Sequence, residues 1–259
     1  MLDKIRDLQW LDHGLRLAAE QGQFHLHYQP KINLNTGELS GVEALIRWRH
    51  PQRGAMPPDQ FIPRCEANGL IIPIGRRVIS EASEQARRWF SQGKQIRVAI
   101  NLSARQLLDG DLLTELREAQ EVARGMLDLE LTESTVMASP VRMAGLLHEC
   151  RSMGYRIYLD DFGTGYSSLS VLAELPLSAI KIDKVFIQNI GMQGKSDALL
   201  RSMVLLAKEL NLCVVAEGIE TAQQAELTRS LGIEEGQGWR FAKAMAPDEL
   251  ERCGWGTVQ

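Results

Sequence analysis

Short apolar runs alternate with stretches of helical periodicity along most of the chain, the pattern of repeated β-α units and a mainly parallel sheet. The runs at residues 96–100, 126–131, 155–159 and 212–216 read as strands. Between them, Ser139-Pro140 and Gly154 bracket one helix, with proline in its first turn and glycine as its stop. A second helix is predicted over residues 196–210, where Leu199, Met203, Leu206 and Leu210 form one stripe for the barrel wall. The chain opens with Ile5, Leu8, Leu11, Leu15 and Ala18 at helical spacing. Residues 1–20 therefore read as a helix that packs on the domain or leads in from an upstream one.

The first two strand-like runs, residues 24–29 and 39–46, break the alternation. Only a short segment containing Asn33, Asn35, Thr36 and Gly37 separates them, too little for a parallel crossover, so an antiparallel hairpin is predicted. The length of 259 residues suits one eight-unit barrel of roughly 250 residues. The expected fold is α/β, a modified TIM (β/α)8 barrel with one antiparallel strand, and residues 1–259 are expected to form a single domain.

Polar positions at the ends of the runs carry the candidate chemistry. Glu43, Asn101, Glu130, Asp160, Asp161 and Glu217 lie far apart in sequence, yet each ends or sits near the end of an apolar run. Taken singly, each could be a helix N-cap or a loop carboxylate. Together they predict one acidic site at the carboxyl rim of a parallel barrel. Five carboxylates brought together repel one another unless protonated or bound to cations. Oxygen ligands without Cys or His favour Mg2+ or Mn2+ over zinc. Lys181 is an unusual charge inside an apolar run; read alone, it reaches the rim or pairs with Asp183.

Composition narrows the partners. A net charge of −4 and a pI near 5.8 argue against a non-specific hold on nucleic-acid phosphates, so no DNA partner is expected. No apolar run is long enough to cross a bilayer, and the first residues are too charged for a secretory signal. Cys65, Cys150, Cys213 and Cys253 form no CxxC pair and read as buried free thiols in a reducing cytoplasm. His25 and His27 share a strand face without a third ligand, and Arg76-Arg77 with Arg87-Arg88 mark solvated helix faces. Packing is the expected role of Trp48 and Trp239, with stacking on a base as the alternative.

An ordered set of local motifs spans nearly the whole chain: Tyr28-Gln29-Pro30, Glu43-Ala44-Leu45-Ile46-Arg47-Trp48, Asn101-Leu102-Ser103, Glu130-Leu131-Thr132-Glu133, Asp160-Asp161-Phe162-Gly163-Thr164-Gly165-Tyr166-Ser167-Ser168, Lys181-Ile182-Asp183, Glu217-Gly218-Ile219-Glu220-Thr221 and Gln237-Gly238. In this set the chain resembles the EAL domain family, named for the Glu-Ala-Leu tripeptide, whose active members hydrolyse cyclic di-GMP. The resemblance implies that Glu43, Asn101, Glu130 and Asp160 hold one divalent ion and that Asp160, Asp161 and Glu217 hold a second. Two such ions, Mg2+ or Mn2+, would drive hydrolysis to linear 5'-pGpG, with Ca2+ inhibitory. Lys181 would orient the nucleophile, and Glu217 or Glu43 would accept its proton. Gln29, Leu45, Arg47 and Gln237 would contact substrate, and Glu133 would steady the glycine-containing loop. The family also implies a homodimer and upstream sensory or GGDEF domains.

The chain departs from the family's commoner pattern at Ala244 and Ala246, where prolines are usual, and at Arg64, Cys65 and Ala67. None removes an expected ligand. The alternatives are a cyclic di-GMP receptor of the same fold without catalysis, which typically lacks metal ligands, and a metal-dependent hydrolase of another phosphodiester.

Overall fold

The computed structural model describes residues 2–165, 169–191 and 195–253, with side chains from Gln9 onward. Tyr166, Ser167 and Ser168 of the motif above lie outside the described residues.

The first two strands, β1 (Phe24–Asn33) and β2 (Leu39–His50), form the antiparallel hairpin. Its turn is built by Asn33, whose side-chain oxygen accepts from the amides of Asn35 and Thr36 at 2.9 and 3.1 Å, with Gly37 at φ 75°. Both strands run further than the apolar pattern implied. β2 continues past Ile46 because Trp48 is buried while its neighbour Arg49 is exposed, and a short β3 (Gly54–Met56) folds back on that extension.

The remaining strands are β4 (Val98–Asn101), β5 (Leu127–Thr132), β6 (Arg156–Phe162), β7 (Ala179–Ile182), β8 (Cys213–Ala216) and β9 (Glu235–Gly236). From β2 through β4 to β9 each neighbouring pair is parallel. β1 lies antiparallel to both β2 and β9 and so closes an eight-stranded ring, with β3 outside it. The structure is thus a (β/α)8-type barrel with one reversed strand.

In chain order the helices are α1 (Leu2–Gln21), α2 (Pro58–Asn68), α3 (Ile71–Ser91), α4 (Leu112–Val122), α5 (Glu133–Met137), α6 (Pro140–Ser152), α7 (Leu169–Glu174), α8 (Lys184–Gln188), α9 (Lys195–Glu209), α10 (Ala222–Ser230) and α11 (Pro247–Arg252). α3 shows why such a segment becomes a wall helix: Ile71, Ile74, Ile79, Ala82, Ala86 and Trp89 are buried at helical spacing, while Arg76, Arg77, Arg87 and Arg88 face outward. Burying each large side chain of such a stripe contributes about 1.5–3 kcal/mol. None of the described helices is long and apolar enough to cross a membrane.

α1 packs over a second apolar cluster in which Leu15 and Ala18 meet Phe24, Trp48, Phe61 and Cys65. Trp48 is therefore a core residue, 5.6 Å from the Phe61 ring centre. Asp12 of α1 accepts a two-pronged pair from Arg64 of α2, and Asn68 donates to it at 3.0 Å. That contact gives the unusual Arg64 a role: it ties α1 to α2.

Three expectations differ in detail. α9 buries Leu200, Val204 and Ala207, with Met203, Leu206 and Leu210 flanking them, and leaves Leu199 exposed. The stripe is rotated by one residue, so that Leu200 takes the buried place beside Val204 and Ala207 at helical spacing. Cys65 and Cys150 are buried thiols, whereas Cys213 is half-buried and Cys253 exposed. Ser139 stands at the N-cap of α6 without a side-chain capping bond.

The barrel interior is unlike the layers of branched apolar residues that usually fill such barrels. Lys31, Glu43, Asp128, Glu130 and Lys181 are all buried, with Glu130 and Lys181 at 0% exposure. Arg97 neutralises Asp128 through its guanidinium, with Nε 2.9 Å from both carboxylate oxygens. The other charges meet towards the carboxyl end of the parallel strands.

Candidate active site

Strand register gathers the acidic positions. Glu43 on β2 pairs across to Ala99, two residues before Asn101, and Asn101 on β4 stands beside Glu130 on β5. Thr132 pairs with Asp160 on β6, and Glu217 follows the end of β8 directly. Because successive strands share one direction, each side chain arrives at the same rim.

One cation organises them. The Lys181 ammonium on β7, fully buried, lies 2.6 Å from Glu217 Oε1, 2.7 Å from Glu130 Oε2, 3.2 Å from Asp160 Oδ2 and 3.3 Å from Glu43 Oε2. Asp183, its alternative partner from sequence, caps α8 instead by accepting from the Val185 amide at 2.8 Å. Glu43 is further fixed by Asn101 Nδ2 at 2.7 Å and Gln237 Nε2 at 2.8 Å. Gln237 also donates to Gln29 Oε1 at 3.1 Å, and Gln29 donates to the Ala242 carbonyl.

The carboxylates cannot all ionise freely around one ammonium. Burial pushes the Glu43 carboxyl up, but Lys181 and its two amide donors outweigh that effect and hold it at about 2. For Glu130, burial and the neighbouring Glu43 prevail over Lys181 and Lys31, and its pKa rises to about 7. Burial also lifts Glu217, to about 8, despite Lys181. Burial and Asp160 raise Asp161. Any metal ion bound by these carboxyls would have to displace their protons.

The donor set fits hard cations. Asp160, Asp161 and Glu217 each offer an oxygen, and these three atoms lie within 4.8 Å of one another. Asp161 adopts φ 55°, the left-handed region that costs a non-glycine residue energy, so the backbone is bent where the adjacent aspartates diverge. Its amide donates to Asp160 Oδ1 at 2.9 Å. Gln237 Oε1, in a residue only 5% exposed, has no hydrogen-bond partner among the described residues and is available to a ligand or water.

Around this centre, Leu45 and Arg47 continue the face of β2 that carries Glu43. They line a cavity of about 290 Å³ whose wall includes Ile62, Ile74, Asn101 and Ser103. Arg47 is half-buried, with Nη1 donating to its neighbour's carbonyl at 3.0 Å. Glu133, at the start of α5, accepts from the Gly163 amide at 3.0 Å. A Cβ at Gly165 would come within 2.6 Å of Glu133 Oε1, so the loop's second glycine permits close approach to that carboxylate. Trp239 differs from its expected packing role: it is 65% exposed at the rim, with Lys243 Nζ 4.6 Å from its ring centre. His25 and His27 stack edge to face without a third ligand.

Two interior charges escaped the sequence reading. Lys31 on β1 reaches Glu130 Oε1 at 3.2 Å, and Asp128 pairs with Arg97. The available signal was alternation: Lys31 follows Gln29 by two residues, as Glu130 follows Asp128, placing both pairs on the interior face.

The family model for the EAL domain matches residues 12–244. The chain belongs to the EAL domain family. This EAL domain is similar to cyclic di-GMP phosphodiesterase PdeR of Escherichia coli K12, at 43% identity over 97% of the chain and 38% of PdeR. It is 42% identical over 92% of the chain to the bifunctional diguanylate cyclase/cyclic di-GMP phosphodiesterase MucR of Pseudomonas aeruginosa, of which it covers 35%. The chain thus spans well under half the length of these relatives. A solved structure of the MucR phosphodiesterase in complex with c-di-GMP superposes with a TM-score of 0.90 at 42% identity, covering 93% of this EAL domain and 99% of that chain.

Proposed function

We propose that this EAL domain hydrolyses one phosphodiester bond of cyclic di-GMP, giving linear 5'-pGpG, with two divalent ions of Mg2+ or Mn2+. The observation that carries the reading is the Lys181 ammonium within 3.3 Å of four carboxylates, Glu43 within β2, Glu130 and Asp160 near the ends of β5 and β6, and Glu217 just after β8. Once all are ionised, five clustered carboxylates exceed the two buried ammonium groups Lys31 and Lys181 by three negative charges. Two divalent ions would leave the centre with one positive charge, suited to an anionic phosphodiester. Similarity to PdeR and to the MucR complex supports the substrate.

Glu43, Asn101, Glu130 and Asp160 would hold one ion, and Asp160, Asp161 and Glu217 the other. When bound, such a pair lowers the pKa of a shared water and neutralises charge on the phosphoryl group under in-line attack. Lys181 orients the attacking oxygen and offsets charge in the pentavalent transition state, from a dry position where its field is strong. Glu217 is the candidate to accept the proton of the attacking water, with Glu43 as the alternative. Arg47 offers its guanidinium fork to a substrate phosphate, while Leu45 and the apolar wall of the cavity receive the nucleotide. Gln29 and Gln237 bridge the centre to the last loop, and Glu133 anchors the loop that carries Gly163.

The complete set of ligands favours enzyme over receptor. Incubation of purified protein with cyclic di-GMP, followed by chromatography, tests this: pGpG should form with Mg2+ or Mn2+ and not with EDTA or Ca2+. Intact cyclic di-GMP under every ion condition would remove the catalytic part of the reading. Turnover of other phosphodiesters in preference to cyclic di-GMP would remove the substrate.

A further inference from the structure

Lys31 enters the reading above only as a compensating charge, yet it is almost as deeply buried as Lys181. It sits on the reversed strand β1, 2% exposed, with Nζ 3.2 Å from Glu130 Oε1 and 4.2 Å from the centre of the Tyr158 ring. Glu130 is thereby divided between two lysines: Oε1 faces Lys31 on the amino-terminal side, and Oε2 faces Lys181 and the other carboxylates at 2.7 Å. Asp128, two residues earlier on the same face, is held by Arg97 and the Arg156 amide, and it and Glu235 attract Lys31 less than Glu130 does. Across the hairpin, Lys31 pairs with Gly41. A Cβ at Gly41 would crowd the Arg97 carbonyl at 3.1 Å and would meet Lys31 Cε at an ordinary contact distance of 3.6 Å, so the stem packs directly against the partner strand. The surroundings thus fix the ammonium in one place.

We infer that Lys31 is a positioning residue of the metal site: by gripping Glu130 Oε1 it turns Oε2 towards the ion that Glu43, Asn101 and Asp160 share. The inference rests on the two-ion reading above. A role for the ammonium as mere positive charge has the opposite sign, since its removal would relieve repulsion and tighten cation binding. Loss of a partner that orients a ligand weakens metal binding by roughly 10–100-fold.

The test is Mn2+ binding to the intact chain without substrate, followed by the electron paramagnetic resonance signal of free Mn2+. Lys31→Met keeps the length and apolar stem and removes the donor. It should weaken Mn2+ binding roughly 10–100-fold, while at saturating Mn2+ its KM for cyclic di-GMP stays at the wild-type value. Lys31→Gln, a shorter donor, should weaken binding in the same direction by a smaller factor, and it decides the matter if the methionine variant does not fold. Wild-type or tighter Mn2+ affinity in either folded variant overturns the role of Lys31. Failure of the wild-type chain to bind Mn2+ instead overturns the two-ion reading itself.

Discussion

Replacing Lys181 with methionine removes the one charge that contacts four carboxylates while keeping most of the side-chain volume. At about pH 8, without metal ions, this leaves Glu43, Glu130, Asp160 and Glu217 facing one another in a buried site. Removing one partner from a buried ionic group costs about 3–5 kcal/mol. At about 2 °C per kcal/mol for a chain of this size, Tm should fall by about 6–10 °C. The sign of the pH effect follows from the raised carboxyls. Glu130 at about 7 and Glu217 at about 8 stand above their ordinary 4.5, so between those values the folded state binds more protons than the unfolded chain. Their contribution to stability therefore falls as pH rises from 4.5 to about 8. Without Lys181 both carboxyls move higher still, and near pH 5 they are neutral and need no counter-charge. Calorimetry in EDTA should show the Tm gap between wild type and Lys181→Met shrinking to less than half between about pH 8 and about pH 5. Saturating Mn2+ at pH 8 should shrink it as well. A gap independent of both pH and metal would mean that Lys181 acts by packing, and the electrostatic account of the centre would be wrong.

Mn2+ should raise the Tm of the wild-type protein more at about pH 8 than at about pH 5, because protons on Glu130 and Glu217 compete with the ion; calorimetry at the two pH values checks this. Arg47→Ala should raise KM for cyclic di-GMP by about 10–100-fold, the loss of a charge-assisted contact of about 1.5–3 kcal/mol, as steady-state kinetics would show. Glu133→Ala frees the Gly163 amide, so hydrogen exchange at residues 161–165 should accelerate and turnover should drop. Unchanged exchange there would count against the anchoring role.

The barrel was legible because its parallel strands are buried on both faces and read as apolar runs, which makes Asn101, Glu130, Asp160 and Glu217 stand out where the runs end. The reversed strand was legible from a connection too short for any crossover. Contacts across the barrel were less visible. Nothing local to Lys181 says that it prefers four distant carboxylates to Asp183, and alternation from Gln29 puts Lys31 on the interior face without saying which carboxylate it meets there. On α9, adjacent Leu199 and Leu200 are equivalent by composition, and each heads an apolar stripe; the fold buries the one that Leu200 shares with Val204 and Ala207. Trp239 looked like packing by residue type, but the rim leaves it exposed.

The central claim is that folding brings these distant oxygens together to hold two cations. The most direct measurement is the anomalous difference map of a crystal soaked in Mn2+ and recorded at the manganese edge. Two peaks are predicted, one among Glu43, Asn101, Glu130 and Asp160 and one among Asp160, Asp161 and Glu217, about 3.5–4 Å apart. A map with no peak in this cluster, and with Lys181 still contacting all four carboxylates, would contradict it.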